Sequence, residues 1–324
     1  MSVITRTSLK RWAQGVLTPV PAHLLKNQRQ LDEPKRKALR AAIRQHYCQG
    51  WRGQDQVSAQ EYEFLLDEHE HLALHGCRTD FIPWLDSACR LRGRRVLEIG
   101  CGTGSSTLAL AEQGAQVTSI DVDEPSLRVA RERCALYDLD VKLLNLSADS
   151  IAQFGADAFD LVLFSASLEH MTSAERLAAL RGAWHILPAG GYLAVMDTPN
   201  RLWYFDQHTA RLPFYHWLPN DLALRYARFS PRDNFRELYA EESESSMEHF
   251  LRRGRGVSFH EFDLAIRPAS SLKVVSSLVS YRGLVRRMLG SAASRRYKAA
   301  LMSICPGIHE GFFDQSLELV IARD

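Results

Sequence analysis

Through the middle of the chain, short apolar runs alternate with longer stretches of helix-type spacing, the pattern of a parallel sheet flanked by helices. Val96 to Ile99 predicts a first strand and Val117 to Asp121 a second, with a helix opening near Ser105 between them. Glu124 to Leu136 predicts a helix with Pro125 in its first turn, followed by a third strand over Val141 to Leu144. Phe159 to Phe164 is almost continuously apolar, as suits the middle of a parallel sheet. Ser173 to Leu187 predicts the next helix, stopped by Pro188 and Gly190-Gly191, and Tyr192 to Asp197 a fifth strand. Ahead of all this, residues 1–90 read as a helical extension, with helix spacing over Lys35 to Tyr47 and Ser58 to His75. Ser58 is a plausible cap of the second of these, and Leu65, Leu66, His69, Leu72 and Leu74 give it an apolar stripe.

The sharpest local signal is the turn between the first strand and its helix, Glu98-Ile99-Gly100-Cys101-Gly102-Thr103-Gly104. Glycines there let a ligand lie against the backbone and adopt positive φ freely. Asp121 ends the second strand, where a carboxylate can grip a ribose diol. A dinucleotide site wants G-x-G-x-x-G, but here the third glycine comes one place early and Ser105 stands where glycine or alanine belongs. Glu98 would repel a pyrophosphate and suits a cationic ligand.

This stretch resembles the first motif of class I S-adenosylmethionine-dependent methyltransferases. The resemblance covers roughly 94–197 and implies a Rossmann-like α/β fold: a seven-stranded, mostly parallel sheet with an antiparallel last strand. It implies S-adenosylmethionine as cofactor, held by Glu98, Gly100, Cys101, Gly102, Gly104, Asp121 and Val122. Ala148 and Asp149 fall at the adenine position and Ser165 at the end of the fourth strand. Asp149 has a second reading as a cap for Ser150 to Phe154. The Ser165-Ala166-Ser167-Leu168-Glu169-His170 loop matches the family's segment beside the methyl donor, which makes His170 the first candidate base, oriented by Glu169. The family core then needs an antiparallel strand pair, for which Val257 to Ile266 and Leu317 to Ala322 are the candidates. The domain division expected is a 1–90 extension packing over the cofactor site and a 91–324 methyltransferase domain. Acceptor-side inserts would occupy 198–256 and 267–313.

The first insert carries P-N-R-L-W, then His208-Thr209, then L-P-F-Y-H-W-L-P with His216. This is loosely similar to bacterial glycan and small-metabolite methyltransferases. Its aromatics can wall an acceptor pocket or form a mini-core under the insert, and His208 and His216 add titratable nitrogens. The second insert is basic: arginines and lysines crowd 252–298 against only Glu261 and Asp263. Internally paired charge, with Glu241 to Glu248 as counter-charge, an acidic acceptor, or RNA phosphates would each account for it.

Composition narrows the class but little else. The 324-residue chain is 46% hydrophobic and 24% charged with a net charge of +2, an ordinary globular balance. No apolar run reaches the roughly 20 residues of a membrane span. The scattered six cysteines and the lack of an apolar signal core point to reduced thiols in a cytoplasm. His71 and His75 share a helical face at a spacing that can chelate zinc, but no third ligand is fixed, so no metal is expected. The expectation is therefore an enzyme methylating an oxygen or nitrogen of a small-molecule or glycan-type acceptor, with oligomeric state open. RNA methylation, NAD(P)-dependent oxidoreduction and cofactor binding without turnover are the competing functions.

Overall fold

A computed structural model describes residues 19–49, 57–232, 235–236, 244–283 and 291–324. Its centre is a seven-stranded sheet of order β3-β2-β1-β4-β5-β7-β6. The strands are β1 Arg95–Ile99, β2 Gln116–Asp121, β3 Lys142–Asn145, β4 Leu161–Ser165, β5 Tyr192–Pro199, β6 Lys273–Ser277 and β7 Ser316–Ala322. The β1–β2, β2–β3 and β4–β5 pairs are parallel, and β7 runs antiparallel to both β5 and β6. This is the expected Rossmann-like α/β class. The chain divides into two compact units, one of residues 1–147 and 281–286, the other of 148–280 and 287–324.

The first unit holds helices α1 Glu33–Ala42, α2 Ala59–Asp67, α3 Ile82–Cys89, α4 Ser105–Glu112 and α5 Glu124–Leu136. Side-chain caps fix their starts. Asp32 accepts from the Lys35 amide, Ser58 and Glu61 form a capping box, and Asp123 accepts from the Ser126 amide. Between α2 and α3 the helical path continues through π-type segments Glu68–Leu72 and Cys77–Phe81. Leu39 and Ile43 of the extension, Leu66 of α2 and Val129 of α5 are buried together, so the predicted extension packs on the helix after β2.

In the second unit the helices are α6 Ser173–Ile186, α7 Asn220–Tyr226, α8 Glu244–Arg252, α9 Phe259–Ala265 and α10 Ala292–Ile304. Here two expectations are corrected. Val257 to Ile266 is not the sixth strand. The Glu261 carboxylate accepts from the Ser258 amide and hydroxyl, each at 2.9 Å, and that cap starts α9. The sixth strand is Lys273–Ser277, inside the stretch expected to be a helical insert. The first insert also begins later than 198, because β5 runs to Pro199. A register shift in the β5–β7 ladder between Val195 and Thr198, with Asp197 at φ +55°, marks a bulge there. The expected helix over Leu278 to Leu289 is described only as Leu278–Tyr281; Arg286, Arg287, Glu241 and Glu242 lie outside the described residues.

The aromatic insert makes a mini-core of its own: Tyr215, Phe235 and Phe250 are fully buried with Ala210 and Leu224. Much of the basic stretch is internally paired. Arg252 bonds Glu175 and lies 3.7 Å from Glu248, Arg282 meets Asp80 at 2.8 Å, and Lys298 meets Asp314 at 2.6 Å. No helix among the described residues is long and apolar enough to cross a membrane.

Candidate active site

In the first unit the glycine turn is built as the sequence requires. Gly100, Gly102 and Gly104 have φ of +81°, +50° and +82°. At Gly104 a Cβ would come within 2.9 Å of the Ala130 Cβ on α5, so the turn sits tightly on that helix. At Gly102 a Cβ would meet nothing within 4 Å, which leaves that face of the backbone open to a ligand. Asp121 closes the turn: Oδ2 accepts from the Gly102 amide at 2.7 Å and Oδ1 from the Asp123 amide at 2.9 Å. Burial pushes its carboxyl above the ordinary range, against those amides. Val122 follows as an exposed apolar side chain, 69% accessible.

Glu98 is fully buried in β1. Its Oε2 accepts from Thr107 Oγ1 at 2.5 Å and Ser119 Oγ at 2.7 Å, while Oε1 has no donor. Burial raises its carboxyl, opposed by the hydroxyls of Ser106, Thr107 and Ser119. A buried carboxylate oxygen without a donor, two residues ahead of the glycine turn, fits a ligand bearing positive charge. Cys101 is buried, and burial followed by the charges of Glu98 and Asp121 holds its thiol far up, in the protonated form.

The extension reaches this turn. His69 Nδ1 lies 3.0 Å from Thr103 Oγ1. Arg133, fully buried on α5, donates to the Thr103 carbonyl at 2.8 Å and to the His69 carbonyl. Sequence reading missed Arg133, which sits on a helix that looks charged and solvated. His69, His71 and His75 do not converge. Asp67, Glu70 and His71 do cluster, but Arg40 takes both carboxylates, at 2.8 and 2.5 Å.

Ala148, Asp149 and Ser165 fall in the second unit. Asp149 lies inside a 3-10 helix, Ala148–Phe154, rather than capping it, and is exposed. Ser165 ends β4 and is buried.

The same unit gathers the three predicted histidines differently from one another. Glu169 is fully buried on the 3-10 turn Leu168–His170. Its Oε2 accepts from Thr198 Oγ1 at 3.3 Å, and its Oε1 has no donor. His170 Nε2 lies 3.8 Å and His208 Nε2 3.9 Å from that oxygen, with the two rings 5.9 Å apart. His170 Nδ1 is 2.8 Å from the Arg252 carbonyl. Arg176 on α6, also unforeseen, is buried and fastens this turn. Its guanidinium donates to the carbonyls of Leu168 at 2.7 Å and Glu169 at 3.2 Å, and to those of Arg255 at 2.7 Å and Gly256 at 3.2 Å. Its i, i+3 neighbours gave no sign of this, since two partners lie on the preceding turn and the other two about 80 residues on.

His216 is placed as a structural residue. It is 2% exposed, and its Nδ1 accepts from the Gly256 amide at 3.1 Å, which puts the ring proton on Nε2. Nε2 lies 3.2 Å from Asp206 Oδ1, outside good hydrogen-bond alignment. Asp206 also accepts the amides of His208, Thr209, Ala210 and Arg211, so it organises the whole insert turn. Burial lowers the His216 imidazole below its ordinary 6.5, against the raising effect of Asp206. Burial raises the Asp206 carboxyl, but His216 and the amides outweigh it and hold the group well below the ordinary range. Both shifts act in one direction. Below about pH 6.5 the unfolded His216 takes a proton that the folded one resists, and below about pH 4 the Asp206 contribution fades as well. Urea midpoints are expected to fall as pH drops from 7 to 5, and His216→Gln to flatten that slope; an equal slope in the variant would remove His216 as its source.

A cavity of about 560 Å³ in the second unit is lined by Leu177, Leu202, Trp217, Leu264 and Leu301, with Arg201, His260 and Glu261 as polar groups. That is the size and character of a small-molecule pocket.

Comparison with known proteins agrees with this geometry. Residues 96–191 match a family described as a methyltransferase domain. This segment is a class I S-adenosylmethionine-dependent methyltransferase domain, and S-adenosylmethionine is the cofactor of that class. Over 134 residues the chain is 32% identical to a ubiquinone biosynthesis O-methyltransferase of Pseudomonas entomophila and, equally, to one of Stutzerimonas stutzeri. The match covers 41% of this chain and 56% of each relative, so the chain spans little more than half the length of these curated proteins. Among solved structures, magnesium protoporphyrin IX methyltransferase of Synechocystis PCC 6803 with bound S-adenosylmethionine is 20% identical. That alignment covers 54% of this chain and 80% of that one, with a TM-score of 0.36.

Proposed function

We propose that the chain moves the methyl group of S-adenosylmethionine to an oxygen or nitrogen of a small-molecule acceptor, with a hydroxyl oxygen favoured. The observation that carries this reading is the glycine turn: three left-handed glycines closed by Asp121 and preceded in β1 by Glu98, whose buried Oε1 has no donor. The O-methyltransferase names of the curated relatives support it. Glu98, Gly100, Cys101, Gly102, Gly104, Asp121 and Val122 of the first unit would hold the cofactor; Ala148, Asp149 and Ser165, in the second unit, keep only the role that the family resemblance implies. When bound, the cofactor supplies a methyl group already activated by a positive sulfur. The chain's own task is then to orient the acceptor, worth about 7–11 kcal/mol, and to receive a proton.

His170 is suited to that second task. A carbonyl only accepts, so Nδ1 carries the ring hydrogen given to Arg252, and Nε2 is left with a free lone pair. Glu169 beside it would steady the imidazolium, and His208 is the second candidate. His216 is withdrawn as a base because it is buried and committed to Gly256 and Asp206. The cavity in the second unit suits a compact, partly apolar acceptor. Internal pairing of the basic stretch leaves RNA with less support than a small molecule. Residues 1–90 would serve as a helical extension steadying the glycine turn through His69 and Arg133. Six free thiols, five of them buried, suit a cytoplasmic setting.

Titration calorimetry tests the reading. Saturable 1:1 uptake of S-adenosylmethionine is expected. Asp121→Ala should weaken it about 10- to 100-fold, the scale of one or two hydrogen bonds to a charged group. Unchanged affinity would remove Asp121 from the ribose.

A further inference from the structure

Glu169, His170 and His208 bring one carboxylate oxygen and two imidazole nitrogens face to face without a hydrogen bond to that oxygen, and His208 Nδ1 lies 3.1 Å from Thr209 Oγ1. Glu169 Oε1 is a carboxylate oxygen, fully buried, with no hydrogen-bond donor. Facing it at 3.8 Å is His170 Nε2, whose proton is excluded by the Nδ1–H bond to the Arg252 carbonyl in the neutral ring. His208 Nε2 approaches the same oxygen at 3.9 Å, and one donor atom from each residue lies within 4.8 Å of the others. Among the described residues, the ion-pair neighbours of this carboxylate are these two imidazoles, and the buried Arg176 guanidinium attracts it from the side of the Glu169 carbonyl. A positive charge at the centre of the three would satisfy the donorless oxygen. A shared proton does not supply it well, because N–H···O bonds to a carboxylate run about 2.7–2.9 Å. A metal ion does. Two ligand atoms about 2.1 Å from a tetrahedral ion lie roughly 3.4 Å apart, so each imidazole nitrogen needs to close on the carboxylate oxygen by only about half an ångström.

We propose that Glu169, His170 and His208 form a divalent-cation site for a borderline metal such as Zn²⁺ or Mn²⁺. Two imidazoles and one carboxylate are a donor set such ions accept, and three protein ligands leave positions open. The supports around the ligands are those a metal site uses. The Arg252 carbonyl orients the His170 ring, Thr198 holds the other Glu169 oxygen, and Asp206 pins the His208 backbone through its amide at 2.8 Å. Both imidazoles are half-exposed, with side chains 42% and 38% accessible, so the site can be reached from solvent. The Asp67, Glu70 and His71 group of the first unit lacks this character because Arg40 bonds both of its carboxylates.

The role of the ion, unlike the site itself, rests on the methyltransferase reading. At an open position it takes the acceptor's hydroxyl oxygen, which ionises more readily there, the proton passing to solvent. With the ion in place the Nε2 lone pair of His170 is a ligand, so this role replaces that of proton acceptor, and the hydroxyl's pKa is lowered by coordination instead.

The test is calorimetric titration of the full chain, stripped with chelator, using Mn²⁺ and Zn²⁺ alone, then S-adenosylmethionine in a separate run. One saturable ion per chain is expected. His208→Ala and Glu169→Gln should each weaken it more than tenfold, and His185→Ala, an exposed histidine on α6, should not change it. His208→Ala carries the test if the buried Glu169→Gln fails to fold. No saturable uptake by the wild-type chain, or uptake unchanged in His208→Ala, overturns the site. Failure to bind S-adenosylmethionine with ion uptake intact strikes the methyltransferase reading instead and leaves the site standing.

Discussion

His170→Ala is expected to lower turnover at saturating S-adenosylmethionine by roughly 10²- to 10⁴-fold while cofactor affinity stays the same. The variant removes the Nε2 lone pair that faces Glu169, whether that lone pair takes the hydroxyl proton itself or holds an ion that lowers the hydroxyl's pKa. The 3-10 turn itself should persist, because Arg176 still donates to the carbonyls of Leu168 and Glu169 and the Arg255 amide still donates to the latter. A loss of chemistry is distinguished from a loss of shape by its pH dependence. As the pH approaches the acceptor's own pKa, an ionised hydroxyl needs no help and the deficit should shrink. A deficit constant with pH, or full activity, would remove His170 from proton handling.

Asp206→Ala is expected to cost about 3–5 kcal/mol of stability, among the largest effects of a single side chain. The carboxylate is buried, faces His216 and accepts four consecutive amides. Truncation orphans those amides and leaves the imidazole facing an apolar gap. Asp206→Asn retains one carbonyl acceptor and should lose about half as much. Urea unfolding at pH 7 measures both; a midpoint within experimental scatter of wild type for the alanine variant would mean the insert turn is held by other contacts.

The parts of the fold that could be read directly were those with two agreeing signals. Glu124 to Leu136 combined helix spacing with Pro125 in its first turn, and the helix has those bounds. The glycine turn combined spacing, a preceding strand and a following carboxylate. The sixth strand was misplaced because it lies at the end of the sheet order, where one face is exposed and Lys273-Val274-Val275-Ser276-Ser277 carries little apolar signal. The apolar run over Val257 to Ile266 was the stronger pattern, but Ser258 and Glu261 three residues apart wrote a helix start into it. The histidines were visible as residue types and not as roles. Nothing local separates His208, half-exposed beside Glu169, from His216, sealed against Asp206 and Gly256. Arg176 and Arg133 were missed for a related reason: a charged residue on a helix reads as solvated, and the carbonyls that take them inside lie far away in the chain.

The irregularity near the end of β5 makes the strand's length a determinant of chemistry. Side chains on an extended strand alternate sides, so each residue added or removed reverses every later one. The extra residue at Asp197 sets the parity that turns Thr198 inward, hydroxyl toward Glu169. Deleting Asp197 would straighten the ladder and send that hydroxyl to the opposite side of the sheet. The acid would lose its one side-chain hydrogen bond among the described residues without a single mutation among the groups that surround it.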